Sequence, residues 1–183
     1  MPGLLLLVRH CESSCPHPEC SLTERGHDQA ERLAGFLAAY PIDALVSSPF
    51  RRARETIAPF AGATGLAVAV DPRLAERRMS AEPDGAWRDT LRRSFEDPDH
   101  RLPGAESARE TLARGRAAVD DLLASAHRLP AAVSHGQLMS LVLHAFDSRF
   151  GFAGWESLST PDVYLLERDG GRVRFARVWR EAV

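Results

Sequence analysis

The chain has 183 residues, 44% hydrophobic and 26% charged, with 23 basic against 25 acidic side chains and a formal net charge of -2. That length fits one compact domain able to bury roughly 70% of the surface its unfolded chain exposes. The composition excludes wholesale disorder, and the charge balance excludes a strongly basic nucleic-acid binder.

Leu4 to Val8 is a short apolar run with neither a basic flank nor a small-residue cleavage site, so it reads as a buried strand rather than a signal peptide. Thr23 is placed to cap a helix running toward Ala39, along which Ala30, Leu33, Ala34 and Leu37 recur at helical spacing. A strand at Ala44 to Val46, a helix from Phe50 interrupted near Pro59, and a strand at Leu66 to Val70 closed by Asp71-Pro72 follow. Glu76 to Gly104, rich in Pro, Asp and Arg, reads as an insertion with one helix around Trp87 to Phe95. Ser107 to His127 carries a long helical pattern, Ala131 to Ser134 a strand and Gln137 to Phe146 a helix. Two last strands, Val163 to Glu167 and Val173 to Val178, turn at Asp169-Gly170-Gly171. This alternation predicts a single domain over residues 1–183, a three-layer α/β/α sandwich with a mostly parallel central sheet. No later stretch approaches a membrane span of about 18 apolar residues, so the expectation is a cytoplasmic protein without membrane contact. The odd set Cys11, Cys15 and Cys20 suits reduced thiols, and Trp87, Trp155 and Trp179 read as packing residues.

Open parallel sheets bind ligands at the carboxyl ends of their strands. There this chain carries Arg9-His10, Ser47-Ser48 with Arg51-Arg52, Glu76, and His135-Gly136. Arginine forks hold phosphate oxygens, a histidine nitrogen attacks phosphorus, and a carboxylic acid protonates the leaving oxygen. All the basic side chains are arginine, so every fixed cation is such a fork. The set points to phosphoryl transfer, whereas motifs for P-loop, dinucleotide, zinc-protease or serine-hydrolase chemistry are absent from the sequence.

The segments LVRHCES, SLTERGHDQA, SSPFRRARET, RLAERRM and AVSHG, in that order, resemble the histidine phosphatase superfamily, the phosphoglycerate mutase-like proteins. The resemblance implies His10 as the nucleophile that becomes phosphohistidine. It implies Arg9, Arg52 and His135 as phosphate ligands, with the SPxxRAxxT pattern selecting Arg52 over Arg51 and Arg54, and Glu76 as general acid. Two arginines match a phosphate dianion, so neither metal nor other cofactor is expected. Glu76 must be protonated to donate, a form that an adjacent dianion favours. Backbone N–H groups after His135-Gly136 are expected to add anion donors.

Three positions depart from the family pattern: Cys11 stands where glycine is usual, Pro16 where many members carry a phosphate-holding asparagine, and Ser80 where a glycine often follows the acid. The last leaves Glu82 as a fallback acid. For Cys11 the preferred reading is burial at the sheet edge as an inert small side chain; the alternative is a thiolate favoured by the nearby arginines and so redox-sensitive, with Cys15 or Cys20 resolving it. Rival readings are a zinc element built on Cys11, Cys15, His17 and Cys20, a phospholigand sensor without turnover, a phosphoglycerate-type mutase and a phosphoprotein phosphatase. With only Arg77 to Glu106 between the acid and the next long helix, the chain is spare for a mutase lid. The preferred reading is a phosphatase of a small phosphorylated metabolite.

Overall fold

The computed structural model describes residues 3–79 and 87–180. Its framework is a six-stranded sheet in the order β3-β2-β4-β1-β5-β6, built from β1 (Gly3–Arg9), β2 (Ala44–Ser47), β3 (Val68–Val70), β4 (Pro130–Ser134), β5 (Asp162–Asp169) and β6 (Arg172–Arg177). The first four strands are mutually parallel, β5 runs antiparallel to β1, and β6 antiparallel to β5. The β5–β6 hairpin closes at Gly170 and Gly171, whose φ values of 52° and 84° explain the glycine pair.

The side-chain alternation of β1 sorts the two helical layers. Leu6 and Val8 face α1 (Glu24–Leu37) and α2 (Arg51–Thr64), against Ala30, Leu33, Leu37, Ala53, Ile57 and Phe60. Leu5 and Leu7 face the other way, against Ala118, Val119 and Leu123 of α4 (Ala108–Ala124) and Leu138, Met139, Val142 and Leu143 of α5 (Gly136–Phe146). Both faces are apolar, as a parallel sheet covered on two sides requires, and the three-layer α/β/α sandwich is the observed architecture. Helix starts follow the expected chemistry: Thr23 Oγ1 accepts from Gly26 N, and Ser107 with Glu110 forms a capping box.

Four local expectations change. Helix α2 runs unbroken through Pro59, because only the bond from its missing N–H is lost while Ala53, Thr56, Ile57 and Phe60 on the sheet-facing side keep the helix seated. Edge strand β3 starts at Val68 rather than Leu66, and β1 starts a residue earlier than read. The short helix α6 (Phe152–Glu156) was invisible, since five residues hold less than two turns of periodicity. Trp87, at the start of α3 (Trp87–Arg93), packs edge-on against Trp155 with ring centroids 5.8 Å apart while staying 42% exposed.

The segment after Glu76 is tied down by two arginines. Buried Arg77 donates to Glu106 O at 2.9 Å and to Ser94 Oγ at 2.7 Å. Arg114 on α4 holds Glu106 at 2.7 and 2.8 Å and donates to the carbonyls of Arg73 and Ala75 at 2.8 and 2.6 Å. Residue 76 therefore sits at a fixed backbone position.

Candidate active site

Three adjacent strands end level. His10 N donates to Ser134 O at 3.0 Å and Ser48 N to Val133 O at 2.9 Å, extending the ladder by one residue beyond β1 and β2. The residues just past β1, β2 and β4, namely His10, Ser48 and His135, thus lie side by side at the carboxyl edge, with the two imidazole centroids 5.0 Å apart.

His10 is buried and oriented at both nitrogens. Nδ1 lies 2.6 Å from Cys11 O, an acceptor only, so Nδ1 carries the proton and donates. Nε2 is then the lone-pair nitrogen, and it accepts from Arg52 Nε at 3.1 Å. Burial first, and then the Arg52 guanidinium, pull the His10 pKa from 6.5 to about 3, so the ring is neutral across physiological pH.

Arg52 occupies the second position of α2, where its buried guanidinium also donates through Nη1 to Pro16 O at 3.0 Å and His17 O at 2.9 Å. The neighbouring arginines are elsewhere: Arg51 is exposed and pairs with Glu55 at 2.6 Å, and Arg54 is exposed. Of the three arginines in SPFRRARET, the structure brings Arg52 alone to His10.

Arg9 ends β1 and donates through Nη1 to Leu158 O at 3.0 Å, while its buried Nε has no partner among the described residues. Its guanidinium lies against Gly136, where a Cβ would come within 3.2 Å of Arg9 Cζ. Burial lowers the pKa of both Arg9 and Arg52, and Glu76 opposes this by attraction. His135 is fully buried. Its Nε2 is 2.7 Å from Ser48 Oγ, which accepts from Phe50 N and so has its own proton to give. In that tautomer the ring proton is on Nδ1, which is buried and without a partner among the described residues. Two buried donors left open beside one lone-pair nitrogen make a site that an anion completes.

Glu76 sits at the start of α5, beside the histidines. Its Oε1 accepts from Arg77 N at 2.8 Å and Leu138 N at 3.1 Å, and its Oε2 from Gln137 N at 3.1 Å. The N–H groups of Gln137 and Leu138, expected to serve a bound anion, are therefore given to the Glu76 carboxyl group instead. Glu82 and Ser80 lie outside the described residues.

The expectation of three reduced thiols is overturned for two of them. Cys15 and Cys20 are joined as a disulfide, with Cα atoms 5.6 Å apart, and Cys11 is the free thiol. The reason is that the loop after His10 doubles back: Ser14 N donates to Ser21 O at 3.0 Å and Ser13 bridges Leu22, which sets the two cysteines across from one another. Cys11 is packed in the core as the preferred reading has it, and burial pushes its thiol up to about 12, which rules against the alternative of a thiolate. These placements dissolve the proposed four-ligand zinc set, and no group of three or more His, Cys, Asp or Glu able to hold a metal occurs among the described residues.

Sequence reasoning missed several supports. Ser48 fixes His135, and Thr56 Oγ1 accepts from Cys11 N at 2.9 Å while donating to Arg52 O at 2.7 Å, which couples the backbone beside His10 to α2. Buried Asp162, opposite Arg9 in the β1–β5 register, pairs with Arg177 at 2.8 Å. Serine and threonine hydroxyls of this kind carry no spacing signal; only the SSP and ARET contexts of Ser48 and Thr56 mark them.

A neutral, aimed histidine, two buried guanidiniums and a second histidine thus meet at one sheet edge of an α/β protein, a set of donors whose chemistry suits an anion. The chain belongs to the histidine phosphatase superfamily (branch 1), whose family model matches residues 5–180. It is 36% identical over 147 residues to an uncharacterized protein of Mycobacterium tuberculosis, spanning 68% of this chain and 72% of that one. It is 33% identical over 157 residues to a probable phosphoglycerate mutase, GpmB, of Yersinia enterocolitica, spanning 76% and 72%. A mycobacterial glucosyl-3-phosphoglycerate phosphatase solved with inorganic phosphate shares the fold at a TM-score of 0.76 and 26% identity, over 98% of this chain and 97% of that one.

Two outcomes follow from this geometry. Gly136→Ala places a methyl group against the Arg9 guanidinium, so inorganic phosphate should bind about tenfold more weakly by calorimetry, the equivalent of about 1.4 kcal/mol; unchanged affinity would show that Arg9 has slack. The second concerns pH. His10 and His135 both have folded-state pKa values below the unfolded value of 6.5, so the unfolded chain binds more protons as pH falls below that value. Their contribution is complete above pH 6.5 and is lost on acidification, for His10 down to about pH 3, at up to about 1.4 kcal/mol per pH unit for each ring. Urea unfolding across this window should give a smaller slope for His10→Gln than for the parent; equal slopes contradict the assignment.

Proposed function

We propose that the protein is a metal-independent phosphomonoesterase that works through a phosphohistidine on His10. The observation that carries the reading is the His10 ring itself, with Nδ1–H given to Cys11 O and the Nε2 lone pair facing the Arg52 Nε–H. On substrate entry that N–H passes to a phosphate oxygen and frees Nε2. Arg9 supplies the second fork, and His135 Nδ1–H a further donor. Two guanidiniums balance a dianion, so the charge is met by side chains alone.

Nε2 attacks phosphorus in line with the ester oxygen, so that the N–P bond forms as the P–O bond breaks. Glu76 Oε2 accepts a single N–H and so keeps a lone pair for a proton, a form that the dianion favours; it gives that proton to the departing alkoxide. The resulting carboxylate then takes a proton from the water that attacks the phosphohistidine, restoring Glu76 and releasing phosphate. The arginines hold the equatorial oxygens through both steps. Glu76 is suited to both roles by its place, fixed by the Arg114 contacts to its backbone and seated on α5 beside His135.

The leaving group has room in a pocket of about 200 Å³ lined by Arg9, Arg88, Trp155, Glu156 and Leu158. That volume is below the usual range for drug-sized ligands, roughly 300–1,000 Å³, which favours a small metabolite. Arg88 pairs with Glu156 and lies 5.7 Å from the Trp155 ring, giving the pocket polar groups of both signs and an aromatic wall. A mutase reading has the probable phosphoglycerate mutase relative in its favour. Against it, the seven residues of α3 are the only helix between Glu76 and α4 among the described residues, little material for a lid that excludes water.

A panel of phosphomonoesters assayed for free phosphate, with and without chelator, tests the reading. Activity should survive the chelator. His10→Ala should lose roughly a thousandfold or more in turnover, and Arg52→Lys should fail to restore the fork. Activity that requires added metal, or phosphoryl transfer to 3-phosphoglycerate without phosphate release, rejects it.

A further inference from the structure

We propose that the Cys15–Cys20 disulfide is the positioning element of Arg52, so that its reduction loosens the phosphate site. The inference rests on the phosphatase reading for its kinetic consequence and on the loop geometry for its substance.

Arg52 Nη1 has two hydrogens, and both go to consecutive carbonyls, Pro16 O at 3.0 Å and His17 O at 2.9 Å. These two residues lie inside the six-residue ring that the disulfide closes. The next carbonyl, Pro18 O, accepts from Arg51 N at 2.9 Å. That contact caps α2, whose N-cap residue Phe50 offers no side-chain hydrogen bond. Three successive carbonyls of one small loop therefore set both the plane of the Arg52 guanidinium and the start of the helix that carries it.

Little else holds that loop. Residues 16–19 are exposed and bring no side chain to the core. The Ser14–Ser21 backbone bond and the contacts of Ser21 Oγ and Leu22 N with Glu55, each at 2.8 Å, anchor its base, not its tip. A turn from Cys20 N to His17 O spans the tip at 3.1 Å. Exposed backbone bonds of this kind open readily unless a covalent link limits the alternatives.

Both cysteines are half-buried, within reach of a small dithiol. One thiolate of the dithiol attacks a disulfide sulfur and displaces the other as thiolate; the second thiol of the reagent then closes its own disulfide. Two electrons and two protons pass to Cys15 and Cys20, and the dithiol leaves as a cyclic disulfide. Cys11, buried in the core, takes no part.

The test uses the full chain, oxidised or treated with dithiothreitol, and the double variant Cys15→Ser/Cys20→Ser. Thiols are counted in denaturant, inorganic phosphate affinity is read by calorimetry, and KM and kcat are read with an aryl phosphate. The oxidised protein should show one thiol and the reduced protein three. Reduction should weaken phosphate binding and raise KM roughly five- to tenfold, about the loss of one ordinary hydrogen bond as the Arg52 fork is partly misplaced, with a smaller change in kcat. Reoxidation should restore both, and the double variant should stay at the reduced values whatever the redox state. Three thiols in the oxidised protein, equal phosphate affinity in the two states, or a double variant that binds like the oxidised parent would each overturn the proposal. Calorimetry decides it without turnover, so a protein inert toward every ester but redox-dependent in phosphate binding would reject the phosphatase reading and keep this one.

Discussion

A histidine that must stay neutral while facing a guanidinium is the constraint around which this molecule is arranged. In water an imidazole beside arginine keeps a substantial protonated fraction near pH 6. Buried at the end of β1, with its Nδ1 proton committed to Cys11 O and Arg52 donating to Nε2, His10 has no favourable protonated state near neutrality. The same two contacts fix the direction of the lone pair. Cys11 is part of this device through its backbone, and its thiol is an apolar filler under the loop.

The arginines carry the corresponding cost. Each is desolvated, and each is compensated by carbonyls rather than by a carboxylate in contact: Leu158 for Arg9, Pro16 and His17 for Arg52. Carbonyl partners leave the full positive charge available to a ligand, whereas a salt bridge would cancel it. Glu76, the acid nearest the pair, is instead occupied by backbone N–H groups of α5 and by Arg77 N. Opposite charges are thus kept close but separately satisfied, an arrangement suited to a dianion that needs cations on its oxygens and an acid on its leaving group.

Much of this was legible because it is written in strand ends and helix starts. Arg9-His10, Arg52, Glu76 and His135-Gly136 each follow a strand or open a helix, and the alternation of strand and helix places those points on one edge. The choice of Arg52 over Arg51 and Arg54 came from the SPxxRAxxT resemblance alone, and the structure supplies its physical ground: Arg52 shares the buried face of α2 with Ala53 and Thr56. What stayed hidden depends on contacts between distant segments. The partner of Glu76 is the start of α5, some sixty residues away, and no local pattern encodes it. The Cys15–Cys20 bond depends on the loop pairing Ser14 with Ser21, a register set by the turn at Pro16 to Glu19. Pro59 misled because propensity prices the lost hydrogen bond but not the apolar face that outweighs it.

The central claim is that Nε2 of His10 is the atom that receives phosphorus. Rapid quenching of the enzyme with a phosphate-labelled substrate, alkaline proteolysis and mapping of the labelled nitrogen tests it most directly. The account predicts acid-labile phosphate on His10, attached at Nε2. Label on His135, on Nδ1 of His10, on a serine or on no residue at all would contradict it.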